Sequence, residues 1–265
     1  MTEQVTETNP LLQHLKLPGE TFRLPSQGLF YTSGELAEEV KNGELHVYPM
    51  TALDEIVMKS PDMLFTGKAI VEVFERCIPQ VQKPLELLAR DVDYLLACLR
   101  VVTYGQTLTV DFTHDCENAK EHQYEVDVRP LIQQARSIDP TTIKTTYVLT
   151  LPNGQVVHLR PTTFNTVLEL GQASGAGDKE PSLDEVKRSL VSVVADVIDN
   201  IDNVHDRRMV SEWVEKAPAG WIKMITDAVD RIGDWGVDFV VPTKCKDCGK
   251  PVDLMIGTNP ISFFS

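Results

Sequence analysis

The chain echoes itself, and a copied unit constrains its fold more than any single motif does. His46-Val47-Tyr48-Pro49-Met50-Thr51 returns as His158-Leu159-Arg160-Pro161-Thr162-Thr163. Each reads as a strand stopped by a proline, which cannot donate to a ladder, and then a threonine placed to cap a helix over 52–58 or 164–170. Further on, Val110-Asp111-Phe112, His114-x-Cys116 and a strand over 124–128 are echoed by Val237-Asp238-Phe239, Cys245-x-x-Cys248 and a strand over 252–256. Two matches in the same order indicate a duplicated module. The expected fold class is therefore α+β: two pseudo-repeated halves, each with short antiparallel hairpins and a small helical bundle, carrying degenerate zinc-ribbon-like knuckles. Its divisions are an extended N-terminal arm over 1–20, a first half over 21–140 and a second half over 141–265.

The arm has two prolines and no apolar periodicity, so Pro10, Leu11 and Leu12 read as a docking piece that orders on a partner. The turn residues of Pro25-Ser26-Gln27-Gly28 predict a strand pair within 22–31, and 44–48 alternates as a further strand. Helices are expected at 65–77 and 91–103, the second on the spacing of Val92, Leu95, Leu96, Leu99 and Val102, followed by strands at 107–112 and 123–128 and a helical stretch at 129–136. Asn153-Gly154 between apolar runs predicts a hairpin of 147–151 with 155–160. Ser182-x-x-Glu185 reads as a capping box for one helix whose apolar stripe runs from Val186 through Val193, Val194, Val197 and Ile198 to Ile201, and two more helices follow at 206–216 and 219–232.

Charge and cysteine usage exclude several classes. A net charge of −14 repels a phosphate backbone unless a basic stripe gathers somewhere, and lysines and arginines are instead scattered among acids. No apolar run approaches the roughly 20 residues that span a bilayer, and 1–9 is polar and acidic rather than a secretory signal. The expectation is a protein used in cytoplasm or in a particle assembled there, with no membrane partner. Five cysteines do not form a secreted disulfide framework. Cys77 and Cys98 sit on apolar helical faces and read as small buried hydrophobes.

Catalytic signatures do not emerge. There is no glycine-rich phosphate loop, no nucleophile elbow around Ser174 and no spacing that suggests a triad, so neither an enzyme nor a small-molecule substrate is expected. Asp196, Asp199, Asp202 and Asp206 read as a solvated helical face. Cys245-Lys-Asp-Cys248-Gly249 is half of a zinc ribbon, because two thiolates on one tight knuckle chelate a tetrahedral ion. The duplicated position offers His114 and Cys116, with His122 as a replacement ligand. Folding one half back on the other would give a His/Cys3 structural zinc site; otherwise the thiols are simply paired. Trp213, Trp221 and Trp235 read as core residues with a donor to satisfy. Ile261, Phe263 and Phe264 either staple onto the chain's own core or insert into another protein.

Phe22-x-Leu-Pro-Ser-x-Gly-x-x-Tyr31, Tyr48-Pro-Met-Thr-Ala-x-Asp-Glu55, Asp93-Tyr-Leu-Leu-x-x-Leu-Arg100 with Thr103-Tyr-Gly105, and Cys245-x-x-Cys-Gly249 ending in Asn259-Pro-x-x-Phe-Phe264 together resemble the T-even-type bacteriophage baseplate protein family. That family includes baseplate hub subunits and the hub assembly factor of contractile-tailed phages. The resemblance spans about 21–264 and departs at His114-x-Cys116, where it leads one to expect a Cys-x-x-Cys turn. It implies a non-enzymatic structural or assembly protein of the tail baseplate hub, assembled in host cytoplasm. The implied partners are other hub proteins and the tape-measure protein. The alternative is a zinc-ribbon nucleic-acid adaptor, which the charge opposes.

Overall fold

The structure, a computed structural model, describes residues 18–116, 120–143, 147–173, 182–257 and 263–264, the side chains of 173 and 183–186 excepted. Among these residues, antiparallel pairing builds four small sheets from nine strands: β1 (Glu20–Arg23) with β2 (Glu44–Val47), β3 (Thr107–Thr113) with β4 (Glu121–Asp127), β5 (Val148–Thr150) with β6 (Val156–Leu159) and β7 (Ile198–Ile201), and β8 (Val240–Lys244) with β9 (Pro251–Met255). Helices occupy Ala52–Met58, Pro61–Phe65, Lys68–Cys77, Ala89–Tyr104, Arg129–Gln133, Phe164–Ala173, Leu183–Asp196, Arg207–Lys216 and Ala219–Ile232. The fold is α+β with short antiparallel hairpins, as its sequence predicts.

Two predicted elements fold differently. The strand pair expected within 22–31 forms instead between β1 and β2, with Phe22 opposite Leu45. Residues 25–30 turn too tightly to make a second strand, with positive φ at Gln27, Gly28 and Phe30. The turn closes on Gly43, where an added Cβ would lie 2.7 Å from the Gly28 nitrogen, so no larger residue fits. The helix expected to run to Ile201 stops at Asp196, and the β-branched tail of its stripe becomes β7, pairing Ile201 with Val157 and Ile198 with Leu159. An apolar spacing of three and four does not separate a helix end from a buried strand; the open edge of β6 decides it. The flexible loop that the small, polar run 171–179 leads one to expect begins later, since 171–173 are the last turn of the helix Phe164–Ala173, and its remainder, like the Glu185 side chain of the capping box, lies outside what is described.

The echoed units share a design. β2 and β6 each lead through proline to a threonine that caps a helix: Thr51 Oγ1 accepts from the Asp54 N–H at 3.4 Å, and Thr163 Oγ1 accepts from the Thr166 N–H at 3.4 Å. Both hydroxyls donate to a carboxylate, Asp54 at 2.7 Å and Asp196 at 3.1 Å. An arginine closes each carboxylate, Arg76 on Asp54 and Arg160 on Asp196. Asp196 is thus committed to a helix start, contrary to the solvated face expected of it. Although burial acts on it most strongly and in the opposite direction, the charge of Arg160 and hydrogen bonds from Thr166, Arg160 and Thr163 together hold its carboxyl below the usual range.

Burial divides the chain into two cores. The first surrounds the helix Ala89–Tyr104 and gathers Leu45, Val47, Phe74, Leu95, Leu99, Val126 and Ile132, then takes Val237, Leu254, Ile256, Phe263 and Phe264 from the far end. The second spans 138–235 with Leu88 and holds Val157, Leu159, Ile198, Val210, Ile225 and Trp235. The expected second half, 141–265, is therefore shared between them. Reciprocal backbone bonds join the two: Ala89 N–H to the Thr162 carbonyl at 2.9 Å, and Phe164 N–H to the Leu87 carbonyl at 2.8 Å. No helix among the described residues is long and apolar enough to cross a membrane.

Candidate metal centre

Two hairpin tips converge. β3 and β4 alternate buried Leu108, Tyr124 and Val126 with exposed polar residues, the period-two pattern of a half-covered ribbon, and their ladder ends at Thr113 opposite Glu121. His114 and Cys116 lie just beyond it. β8 and β9 end their ladder at Lys244 opposite Pro251, and Cys245 begins the turn. The Cys245 N–H donates to the Lys250 carbonyl at 2.9 Å, and the Gly249 N–H donates to the Cys245 carbonyl at 2.9 Å. Gly249 takes φ +70°, a left-handed conformation that favours glycine and lets Cys248 curl back toward Cys245.

The donor atoms of His114, Cys116, Cys245 and Cys248 all lie within 4.8 Å of one another. Cys248 Sγ and His114 Nδ1 are 3.5 Å apart. The Cys245 thiol is pulled down to about 6, first by the backbone N–H of Cys248 and then, against burial, by the Asp247 N–H and the side chains of Cys248 and His114. A thiolate is the ligand form, so this turn is pre-arranged for a cation. Cys77 and Cys98 make the contrast: burial pushes Cys77 up to about 12 and Cys98 well above its ordinary value, consistent with their reading as inert apolar residues.

A second ring of contacts docks the tips. His122 Nε2 lies 2.9 Å from Asp247 Oδ1, and the Lys120 N–H donates to Asp247 Oδ2 at 3.2 Å. The Asp247 carboxyl is held below its ordinary range, chiefly by the His122 hydrogen bond. The Lys246 N–H donates to the Tyr124 hydroxyl at 3.0 Å, while its ammonium sits 4.7 Å from the Tyr124 ring centroid and bonds the Gln123 carbonyl. His122 is thus turned onto Asp247 and is not one of the four converging donors. No motif points to Tyr124, Lys246 or Asp247. The signal for them is position: two lie inside the Cys-x-x-Cys turn, and the third faces inward at alternate spacing from His122.

The other predicted contact residues separate. Pro10, Leu11, Leu12 and Ile261 lie outside the described residues. Phe263 and Phe264 are 2% and 1% exposed and pack edge-to-face on each other, with Phe263 also against Phe239. Of their two expected fates, stapling onto the chain's own core is the one observed, which leaves them no surface to offer a partner. Arg100 locks the staple, donating to the Phe263, Gly105 and Thr107 carbonyls at 3.2, 3.2 and 2.9 Å. Trp235 is buried, and Trp213 stacks on Trp221 while its Nε1 donates to Gln155 at 3.3 Å.

A hollow of about 840 Å³ lies on another side of the chain, lined in part by Phe30, Tyr147, His158, Arg160 and Arg207. Its arginines are engaged by the fold: Arg207 donates to the Ala195 and Ile198 carbonyls, and Arg160 donates to Asp196.

No curated protein and no solved structure matches the chain. The family model described as T4 bacteriophage base plate protein matches residues 39–265, which takes in the second core, all of the buried first core but Leu24, and all four converging donors. The chain therefore belongs to the T4 bacteriophage base plate protein family.

Proposed function

We propose that this baseplate protein serves the central hub, as a hub subunit or as a factor that assembles the hub, and that it acts by protein–protein contact without catalysis. The observation that carries the reading is the family match across 39–265. The fold is consistent with it: short hairpins and helices frame two cores, and the arginines that line the hollow are held by backbone carbonyls and by Asp196. Other hub components and the tape-measure protein are the proposed partners. The arm around Pro10, Leu11 and Leu12 is the proposed docking segment, and a structural metal at the four-donor cluster is part of the working fold. Two related halves, 21–140 and 141–265, are the proposed descent of the chain, with assembly in host cytoplasm and residence in the virion tail.

Mass spectrometry of purified particles separates the two hub roles. A subunit is found in mature tails, whereas an assembly factor is found only in infected-cell intermediates. Recovery of neither hub proteins nor tail intermediates with the full chain from infected cells would remove the hub reading. Deleting 1–17 tests the arm, since retained partners would place the binding surface on the folded body.

The four-donor cluster favours a second reading, a ribbon-type adaptor for nucleic acid. A net charge of −14 opposes it. A salt titration of DNA and RNA binding decides: affinity at low salt that falls steeply with added salt would support the adaptor, and none at low salt would eliminate it.

A further inference from the structure

We infer that His114, Cys116, Cys245 and Cys248 bind one zinc ion with no open coordination position, and that this ion is the clasp by which the β8–β9 ribbon is held against the first core. The inference rests on the metal reading of the cluster given above and goes further by naming the ion and what it holds in place.

The donor set selects the ion. Three thiols and one imidazole are soft to intermediate ligands, which calcium and magnesium refuse and zinc prefers. Bonds of about 2.3 Å to sulfur and 2.0–2.1 Å to nitrogen place the donors of a tetrahedral site roughly 3.5–3.8 Å apart. The Cys248 to His114 distance of 3.5 Å is already such an edge, and the rest of the set, within 4.8 Å, needs only side-chain adjustment to close around an ion. Four protein donors fill a tetrahedron, so the site is structural: it has no place for an activated water.

The position of the cluster decides what the ion does. Two ligands stand on the β3–β4 tip, inside the first core's own stretch of chain, and two on the β8–β9 tip, which reaches that core only after the whole second core has been threaded. A metal joining them closes a loop of more than a hundred residues, the kind of closure in which a clip restricts the unfolded chain most. The surrounding contacts are built for the same junction. Asp247 is gripped by His122 and the Lys120 N–H, and Lys246 by Tyr124, so the knuckle is oriented by the opposite hairpin before any ligand bond is considered. Arg100, through the Phe263 carbonyl, adds a polar tie between the returning segment and the helix Ala89–Tyr104.

The test uses the full chain, reduced, stripped with a chelator and reloaded with zinc, cobalt or magnesium. Expected are one zinc per chain, the intense visible absorption of tetrahedral thiolate-bound cobalt, and no competition from magnesium. Hydrogen exchange of 237–256 should quicken at least tenfold on stripping and recover on reloading, while exchange of the second-core helices changes little. Cys248→Ser should lose most zinc affinity. Because that variant risks misfolding, His122→Ala, which keeps all four donors, provides the second measurement, with affinity about 10-fold lower and an unchanged circular dichroism spectrum. No stoichiometric zinc would overturn the metal reading itself. Stoichiometric zinc with unaltered exchange at 237–256 would leave that reading standing and overturn the clasp, and equal loading by magnesium would overturn the identity of the ion.

Discussion

Tyr31 donates its phenolic hydrogen to Asp91 Oδ2 across 2.7 Å and accepts the Leu88 N–H at 3.0 Å, tying the turn before β2 to the start of the longest helix. Asp91 is fully buried, and its other oxygen accepts the Ser26 N–H at 3.2 Å. Burial pushes the Asp91 carboxyl up to about 6 despite those hydrogen bonds, and burial also pushes the Tyr31 phenol well above its ordinary value.

A raised carboxyl binds its proton more tightly in the folded chain than in the unfolded one. The stabilising contribution is therefore complete below about pH 4 and is lost as pH rises toward 6. Raising a buried carboxyl from its ordinary range to about 6 corresponds to about 3 kcal/mol. Asp93, also pushed up to about 6 by burial, adds in the same direction. Urea midpoints measured from pH 4 to 7 should fall for the wild type, and Asp91→Asn should remove about half of that slope.

Tyr31→Phe keeps the ring and deletes the hydroxyl. It strands the Leu88 N–H and one Asp91 oxygen in the interior, so unfolding stability at pH 7 should drop by about 1–3 kcal/mol. Equilibrium denaturation measures it, and an unchanged midpoint would mean that water replaces the phenol.

The two capping threonines should both prove stabilising, to different extents. Thr51→Ala and Thr163→Ala should each cost about 1 kcal/mol. Thr163 should be the costlier of the two, because its hydroxyl also bonds Thr166 and Asp196, which is drawn from a different helix. Thermal melts of both variants and their double mutant provide the comparison, and additive losses are expected since the sites share no partner.

Arg100→Leu fills a similar space and releases three carbonyls. Stability should fall by about 2–3 kcal/mol. Chymotrypsin should also cut near Phe263 and Phe264 faster than in the wild type, a reading that a uniform loss of stability elsewhere would not localise.

Much of the fold is legible in the sequence because local rules and tertiary context agree. The stripe of Val92, Leu95 and Leu99 has one face and one core to meet, and Asn153-Gly154 lies at the turn between β5 and β6, where its spacing predicts a hairpin. The knuckle Cys245-x-x-Cys248 is legible from its spacing, and the sequence echo points to His114 and Cys116 as its counterpart. Pattern and structure part where a distant element chooses between local options. Ile198 and Ile201 fit a helical stripe until the free edge of β6 takes them into a sheet. Phe22 finds Leu45 across an intervening turn and loop, a register that short-range patterning does not contain. The Val-Asp-Phe echo is looser than it reads, lying within β3 in one copy and ahead of β8 in the other. His122 suits a metal by type, but the carboxylate of Asp247 reaches it first in space.

The return of 237–257, and of Phe263 and Phe264, to the first core also governs the order of events on the ribosome. Leu254, Ile256, Phe263 and Phe264 are one wall of that core, and they are translated only after the second core's residues. At roughly 5–20 residues per second the nascent protein carries an uncovered apolar face for on the order of ten seconds. A chaperone or tail component arriving in that interval meets a different surface from the one the completed molecule presents.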